Sequence, residues 1–216
     1  MLHALKRAWW RRRLSDPRYA FLFDDAPDHE LVSLDCETTG LDVGKAEILS
    51  IGAIRIAGDT LLTSQRLDIL VRPSGPVPEH LVTIHHLRGL DVAQGLPCDE
   101  AIRHVLDFVG PRPLVGYYID FDAAMLDKHV RRLIGCPLPN RRVEVSRLYY
   151  DWRAPQLPPG ANIDLRFETI RERLDLPRRA EHDAFNDALL AAMMYLRLRP
   201  SDPKSQTALD HSSKAK

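Results

Sequence analysis

Leu34-Asp35-Cys36-Glu37-Thr38-Thr39-Gly40-Leu41-Asp42 closes an apolar run that begins with Leu31 and Val32. Side chains alternate along a strand, so Asp35 and Glu37 share one face of it. Two carboxylates at a strand end make a ledge for a hard divalent cation, which takes oxygen ligands and completes its shell with substrate phosphates. The same spacing also occurs in ordinary solvated strand ends, so the meaning of the pair depends on what lies downstream.

Outward from this stretch, the pattern is strand-like at 31–36, 47–56 and 61–71, with Gly58-Asp59 as a hairpin signal between the last two. Three strands joined by short turns predict an antiparallel start to a sheet. Helical spacing follows at 99–109 (Ile102, Val105, Leu106, Val109), then a short apolar strand at 113–118 and a second helix at 121–134. The chain therefore turns to β-α-β-α order after its opening meander. A proline-rich loop covers 155–160, a helix 165–174, and a last helix runs from Asp183 to Leu198 and stops before Pro200. Met193-Met194 in that helix reads as core packing.

A length of 216 residues suits one well-filled domain with short extensions. The expected division is a basic and aromatic N-terminal extension (1–28), a central domain (29–199) and a polar, disordered tail (200–216). No run of eighteen apolar residues occurs, and Lys6-Arg7-Ala8-Trp9-Trp10-Arg11-Arg12-Arg13 lacks the apolar core of a signal peptide, so a cytoplasmic location is expected. The 1–28 segment could form an amphipathic helix docked on its own domain or, through Trp9 and Trp10, on a partner. Cys36, Cys98 and Cys136 include no C-x-x-C pair, which argues against a disulfide framework or a cysteine zinc site and predicts small buried hydrophobes. Formal net charge is zero, so any polyanion must be met locally. Arg11-Arg12-Arg13, Arg131-Arg132, Arg141-Arg142 and Arg178-Arg179 read first as solvated faces, and only the last lies beside a motif.

Further acids can join the opening pair. In Val115-Gly116-Tyr117-Tyr118-Ile119-Asp120-Phe121-Asp122 an apolar strand ends in a turn, and Asp122 at the opening of a helix would point back toward the sheet edge. Asp120 competes for that role or serves as the helix N-cap. In His182-Asp183-Ala184-Phe185-Asn186-Asp187-Ala188, Asp187 lies one turn into the last helix, and His182 precedes it and is free to lean over a site that Asp187 helps to build.

These residues resemble the DnaQ-like, or DEDDh, 3'-to-5' exonucleases, which include the proofreading subunits and domains of bacterial replicative polymerases. The likeness spans about residues 30–198, with its segments in the family's order. Asp35-x-Glu37-Thr38-Thr39-Gly40-Leu41 followed by Ile48-Leu49-Ser50-Ile51-Gly52-Ala53 is similar to the first motif and the strand after it. Ile84-His85 with Leu87 resembles a structural marker of the family, and Leu176-Pro177 through His182 to Asp187-Ala188 resembles its third motif. The second motif departs from the family's H-N-x-x-F-D, because Tyr117-Tyr118 stand in place of His-Asn. Those tyrosines either stack on bases, which tolerates any sequence, or pack at the strand end.

The resemblance implies an RNase H-like α/β fold, a mixed five-stranded sheet with helices on both faces. It implies that Asp35, Glu37, Asp122 and Asp187 hold two divalent ions, Mg²⁺ or Mn²⁺, with His182 as general base. Chemistry agrees: two ions can activate a water and stabilise a departing 3'-oxygen, and four carboxylates offset their charge. Histidine titrates nearest neutral pH, as a base for water must. The family further implies that amides near Thr38, with Thr39 and Gly40, meet the terminal 3'-hydroxyl and that Leu41 packs on the terminal base; Tyr117, Tyr118 and Arg178 are further candidate substrate contacts. The expected activity is release of nucleoside 5'-monophosphates from 3' ends of single-stranded DNA. Alternatives are the same reaction on RNA ends or short oligoribonucleotides, and a catalytically silent nucleic-acid-binding module. A proofreading role would require a DNA polymerase or other replication or repair protein in trans.

Overall fold

β1 (Glu30–Thr38) runs through the interior of a mixed sheet, and everything that positions the site is arranged around it. On one side lies β2 (Ile48–Ala57), antiparallel and in a register that sets Asp35 across from Gly52 and Glu37 across from Ser50. β3 (Thr60–Arg72) pairs antiparallel with β2 through a tight turn in which Gly58 takes a left-handed φ of 55°. β4 (Leu96–Pro97) adds two residues parallel to β3 at the outer edge. On the other side of β1, β5 (Leu114–Gly116) and then β6 (Arg142–Glu144) pair in parallel, giving the order β4-β3-β2-β1-β5-β6. The computed structural model describes residues 2–78, 87–179 and 182–199. The Ile84-His85 marker and the 200–216 segment lie outside the described residues.

The α/β class and the antiparallel opening agree with the sequence reading, but the described sheet has six strands where five were expected. The strands that no sequence pattern located are β4 and β6, whose two and three residues are too few to show a period-two pattern.

Helices cover both faces. α1 (Leu2–Arg11) precedes the sheet, and α2 (Gly89–Val92) is a single turn. α3 (Cys98–Val109) and α4 (Ile119–Ile134) pack against Val32, Leu34 and Cys36 of β1 through Ile102, Leu106, Met125 and Leu126. On the opposite face, α5 (Val145–Arg153), α6 (Phe167–Arg173) and α7 (Ala184–Leu198) form a second core with Leu31, Ile54 and Ile56. Alternation along β1 thus divides its side chains between two cores. Each fully buried aliphatic side chain contributes about 1.5–3 kcal/mol, and Val32 and Leu34 of β1 with Ile48, Leu49, Ile51, Ile54 and Ile56 of β2 make these two strands a firm anchor for the site.

Helix ends differ from the expected ones by a few residues. α4 begins at Ile119 rather than near Phe121, so Asp122 falls within its first turn instead of opening it. Its N-cap position is occupied by Tyr118, not Asp120. Met194 is fully buried, as core packing requires, and Met193 lies against the same cluster. Cys36 and Cys136 are buried, whereas Cys98 is half-buried with its Sγ 3.3 Å from His129 Nδ1, because it opens α3 at the sheet edge.

The N-terminal segment docks on its own domain. Trp10 and Leu14 lie against the first core, and a 3-10 turn at Pro17–Phe23, capped by Asp16, buries Tyr19, Leu22 and Phe23. Ser15 N–H donates to the Ile134 carbonyl at 3.0 Å, tying the segment to the C-terminal end of α4. Trp9 remains exposed.

Candidate active site

Asp35 and Glu37 project from the last turn of the β1 pleat, on the face opposite Val32, Leu34 and Cys36. A register shift between Glu37 and Thr38 ends the regular pairing there. The chain then turns sharply: Thr38 Oγ1 donates to the Gly40 carbonyl, and Gly40 takes φ 151°, a region L-residues rarely enter. Thr39 closes the loop twice, its N–H donating to the Glu47 carbonyl and its Oγ1 accepting from the Glu47 N–H. Leu41 stands at the tip with 85% of its surface exposed. A large apolar side chain held in water on a hydrogen-bonded loop beside the acids is available for contact with a ligand.

Asp122 reaches the site from the opposite face. β5 pairs with β1 only as far as Ser33, which leaves the Cys36 N–H on that side for a side chain, and Asp122 Oδ1 accepts from it at 3.0 Å. Asp122 is buried, while Asp120 is highly exposed and paired with Arg142 at 2.9 Å. Asp122 was the expected acid and Asp120 its competitor; the structure brings Asp122 to the site and turns Asp120 away.

The last helix supplies the remaining groups. A Cβ at Gly52 would stand 2.2 Å from the Ala184 carbonyl carbon and the Phe185 nitrogen, so only glycine lets the start of α7 lie directly on β2 opposite Asp35. Asp183 caps α7 by accepting from the Asn186 N–H at 2.8 Å, and Asp187 follows one turn later. His182 sits just ahead of the cap in a left-handed conformation, φ 56°. Tyr118 has φ 55°, and such conformations in bulky residues cost about 1–2 kcal/mol each and gather at functional sites. Among the described residues, Glu37, His182 and Asp187 offer ligand atoms that all lie within 4.8 Å of one another.

The acids act on each other. Burial, then Asp122 and Asp187, hold the Asp35 carboxyl well above the usual carboxylate range. Burial, then Asp187 and Asp183, push Glu37 up to about 7. Burial also raises Asp122 to about 8, against the opposing hydrogen bond from Cys36. The N-termini of α4 and α7 both face this cluster, and their dipoles favour anions by about 0.3–1 kcal/mol each, too little to offset it. An all-oxygen carboxylate set with one imidazole at its rim, electrostatically unfavourable by itself, fits hard divalent cations.

Two contributors carried no recognised motif. Asp183 was read only as a step toward Asp187, yet it joins the negative field. Glu144 accepts from the Ile119 N–H at 3.1 Å and from the Ser146 N–H at 3.0 Å, so one carboxylate caps both α5 and the helix that carries Asp122. An acid two residues before a serine was the available signal, and the helix it caps was not itself expected from the sequence.

The candidate substrate contacts separate. Tyr117 packs edge-on against Phe167 and donates its hydroxyl to the Leu165 carbonyl at 3.0 Å, holding the α6 approach, and its burial raises its pKa to about 12. Tyr118 is 65% exposed with its ring 4.6 Å from that of Tyr117. Of the paired readings, packing describes Tyr117 and an open aromatic face describes Tyr118. Arg178 is exposed on the segment after α6 that leads toward His182.

Comparison with known proteins follows this geometry. The family model RNase_T, described as Exonuclease, matches residues 32–195. The DNA polymerase III subunit epsilon of Aquifex aeolicus is 24% identical over 184 residues, covering 85% of this chain and 87% of the relative. An oligoribonuclease of Cutibacterium acnes is 28% identical over 131 residues, 55% of this chain and 64% of that one. E. coli Exonuclease I, solved with a 5cy-dT13 oligonucleotide, superposes with a TM-score of 0.67 at 15% identity over 86% of this chain. This chain spans 44% of the Exonuclease I chain, so that likeness speaks to fold alone.

Proposed function

Because the chain belongs to the exonuclease family and is a DnaQ-like 3'-to-5' exonuclease, we propose that it removes nucleoside 5'-monophosphates from the 3' ends of single-stranded DNA. The observation that carries the reading is the convergence of Asp35, Glu37, Asp122, His182 and Asp187 from β1, α4 and the entry to α7. Mere binding of nucleic acid has no use for that concentration of buried negative charge, which would repel a phosphate backbone.

The family is divalent-metal dependent, and here Asp35, Glu37, Asp122 and Asp187 would hold two ions, Mg²⁺ or Mn²⁺. When bound, such ions supply Lewis-acid activation of water and stabilisation of the leaving oxygen. The protein's own groups do the rest. His182 accepts the proton of the attacking water, and its left-handed backbone sets the imidazole beside Glu37 and Asp187. Thr38, Thr39 and Gly40 shape the loop that would receive the terminal sugar, Leu41 lies under the terminal base, and Tyr118 offers a stacking face to a preceding one. Arg178 would meet backbone phosphate near His182.

A second substrate class has its own support in the oligoribonuclease relative: RNA ends or short oligoribonucleotides share the chemistry and differ by a 2'-hydroxyl. A proofreading or repair role with a polymerase in trans rests on the epsilon-named relative, and a cytoplasmic location belongs to the same reading. Among the described residues no helix is long and apolar enough to cross a membrane.

The deciding experiment incubates 5'-labelled single-stranded DNA and RNA with Mg²⁺, Mn²⁺ or chelator. A ladder shortening from the 3' end of DNA only with metal is the expected outcome. Preferential loss of RNA selects the second substrate, and binding without shortening under either metal returns the chain to a silent binding module.

A further inference from the structure

Leu41 is exposed over most of its surface, so its place beside the acids is set by the backbone on either side of it rather than by packing of its own. Behind it, residues 42–46 form one helical turn. The Lys45 and Ala46 N–H groups donate to the Asp42 carbonyl at 2.9 and 2.7 Å, and the Gly44 N–H donates to Asp42 Oδ1 at 2.9 Å. The turn cannot propagate, because the next N–H, that of Glu47, is taken by Thr39 Oγ1 at 2.8 Å. In a continuing helix that N–H would meet the Val43 carbonyl, which is thereby left over.

Lys128 supplies the missing donor. Its half-buried ammonium donates to the Val43 carbonyl at 3.1 Å and to the Ala46 carbonyl. Ala46 is buried and Val43 lies against the first core, so the charge is drawn into a partly dry place. Among the described residues this ammonium pairs with no carboxylate, and both of its contacts go to the 42–46 turn. A hydrogen bond from a charged donor is about twice as strong as a neutral one, and a cation at the end of a helical turn is favoured by its dipole. Lys128 lies on α4 six positions after Asp122, about 9 Å along the helix at 1.5 Å per residue. One rigid element thus fixes an acid of the cluster and the far end of the loop that carries Leu41.

We propose that Lys128 is a positioning residue for the 3'-terminal nucleotide: it holds the 42–46 turn so that Leu41 meets the terminal base at a set distance from the acids. This role rests on the proposed seat of Leu41 under that base. A loop already held in place need not be ordered anew by each substrate, and that ordering is a cost of binding. The terminal base is gripped alike before and during the reaction, so loss of the tether falls on KM rather than on kcat.

The test compares the full chain with Lys128→Met, which keeps the aliphatic stem and removes the donors, and with Lys128→Arg, which keeps charge and donors. With Mg²⁺ and a labelled single strand, Lys128→Met is expected to raise KM about tenfold with kcat changed by less than about twofold, and Lys128→Arg to recover most of the difference. On the same strand ending in an abasic residue, wild type and Lys128→Met are expected to share one KM, since Leu41 has no base to meet. Trypsin reports on the loop without turnover: in chelator, cleavage after Lys45 is expected to be faster in Lys128→Met than in the wild type. A Lys128→Met chain that does not fold is replaced by Lys128→Gln, read in the same way. An active wild type whose KM the variant leaves unchanged, a rise in KM equal on normal and abasic ends, a fall in kcat alone, or equal cleavage after Lys45 overturns the tether and leaves the proposed activity standing. A wild type that shortens neither DNA nor RNA overturns both together.

Discussion

Neutralising Glu37 should stabilise the metal-free protein while abolishing its activity. The site is strained by its own charge: burial, then Asp187 and Asp183, lift Glu37 from an ordinary 4.5 to about 7. Taken at face value that costs the ionised native state about 3 kcal/mol. Solvent screening on the open side of the site reduces it to about 1–2 kcal/mol. The sign follows from proton linkage. The native state holds this proton more tightly than the unfolded chain does, so stability is intact below about pH 4.5 and is lost as the pH climbs to about 7. Glu37→Gln removes the ionisation and keeps the shape. In chelator at pH 8 its melting temperature should exceed that of the wild type by about 2–8 °C, at 2–4 °C per kcal/mol for a domain of this size. At pH 4 the two should coincide, and added Mg²⁺ should stabilise the wild type more than the variant. Thermal melts across pH, with and without metal, make the measurement. An equal or lower melting temperature at pH 8 in chelator, or a gain that persists unchanged at pH 4, refutes the account of mutual repulsion.

Asp122→Asn should eliminate cleavage while preserving acceptance of the Cys36 N–H, whereas Asp120→Ala should retain most activity; a labelled-oligonucleotide assay that gave the reverse would exchange their roles. His182→Ala should slow turnover by about 10²–10⁴-fold with the fold intact by circular dichroism, and full activity would make this histidine merely structural. Gly52→Ala, whose Cβ would lie 2.2 Å from backbone of α7, should lower stability by about 1–3 kcal/mol and cut turnover; an unchanged melt would show that α7 moves aside freely. Glu144→Ala, which strips acceptors from the Ile119 and Ser146 N–H groups, should cost about 1–2 kcal/mol in urea unfolding, and no loss would leave the shared cap without consequence.

Much of this arrangement was legible in the sequence, and the reasons differ between elements. β1 and β2 carry continuous apolar runs in a simple period, and α7 begins at a capping aspartate, so their presence followed from local pattern. The choice between Asp120 and Asp122 did not, because it turns on which carboxylate meets the Cys36 N–H, a contact across 86 positions. Tyr117 and Tyr118 are adjacent and identical in type, and only the position of Phe167 and Leu165 separates a packed ring from an open one. Glu144 was silent because its partner is the start of a helix 25 residues earlier. β4 is set by pairing with Val71 and Arg72 rather than by its own two side chains.

The seating of α7 on Gly52 also bears on when the enzyme becomes competent. Asp35 and Glu37 enter the chain early, but His182 and Asp187 follow about 150 positions later and reach β1 only once the last helix has settled on the sheet. Contacts of such long sequence separation form late, after the loop-closure entropy between them has been overcome. A chain whose last helix has not docked therefore lacks His182 and Asp187 beside the acids of β1. Assembly of the site waits on that docking, and the glycine that admits the helix sets the point at which the cluster is complete.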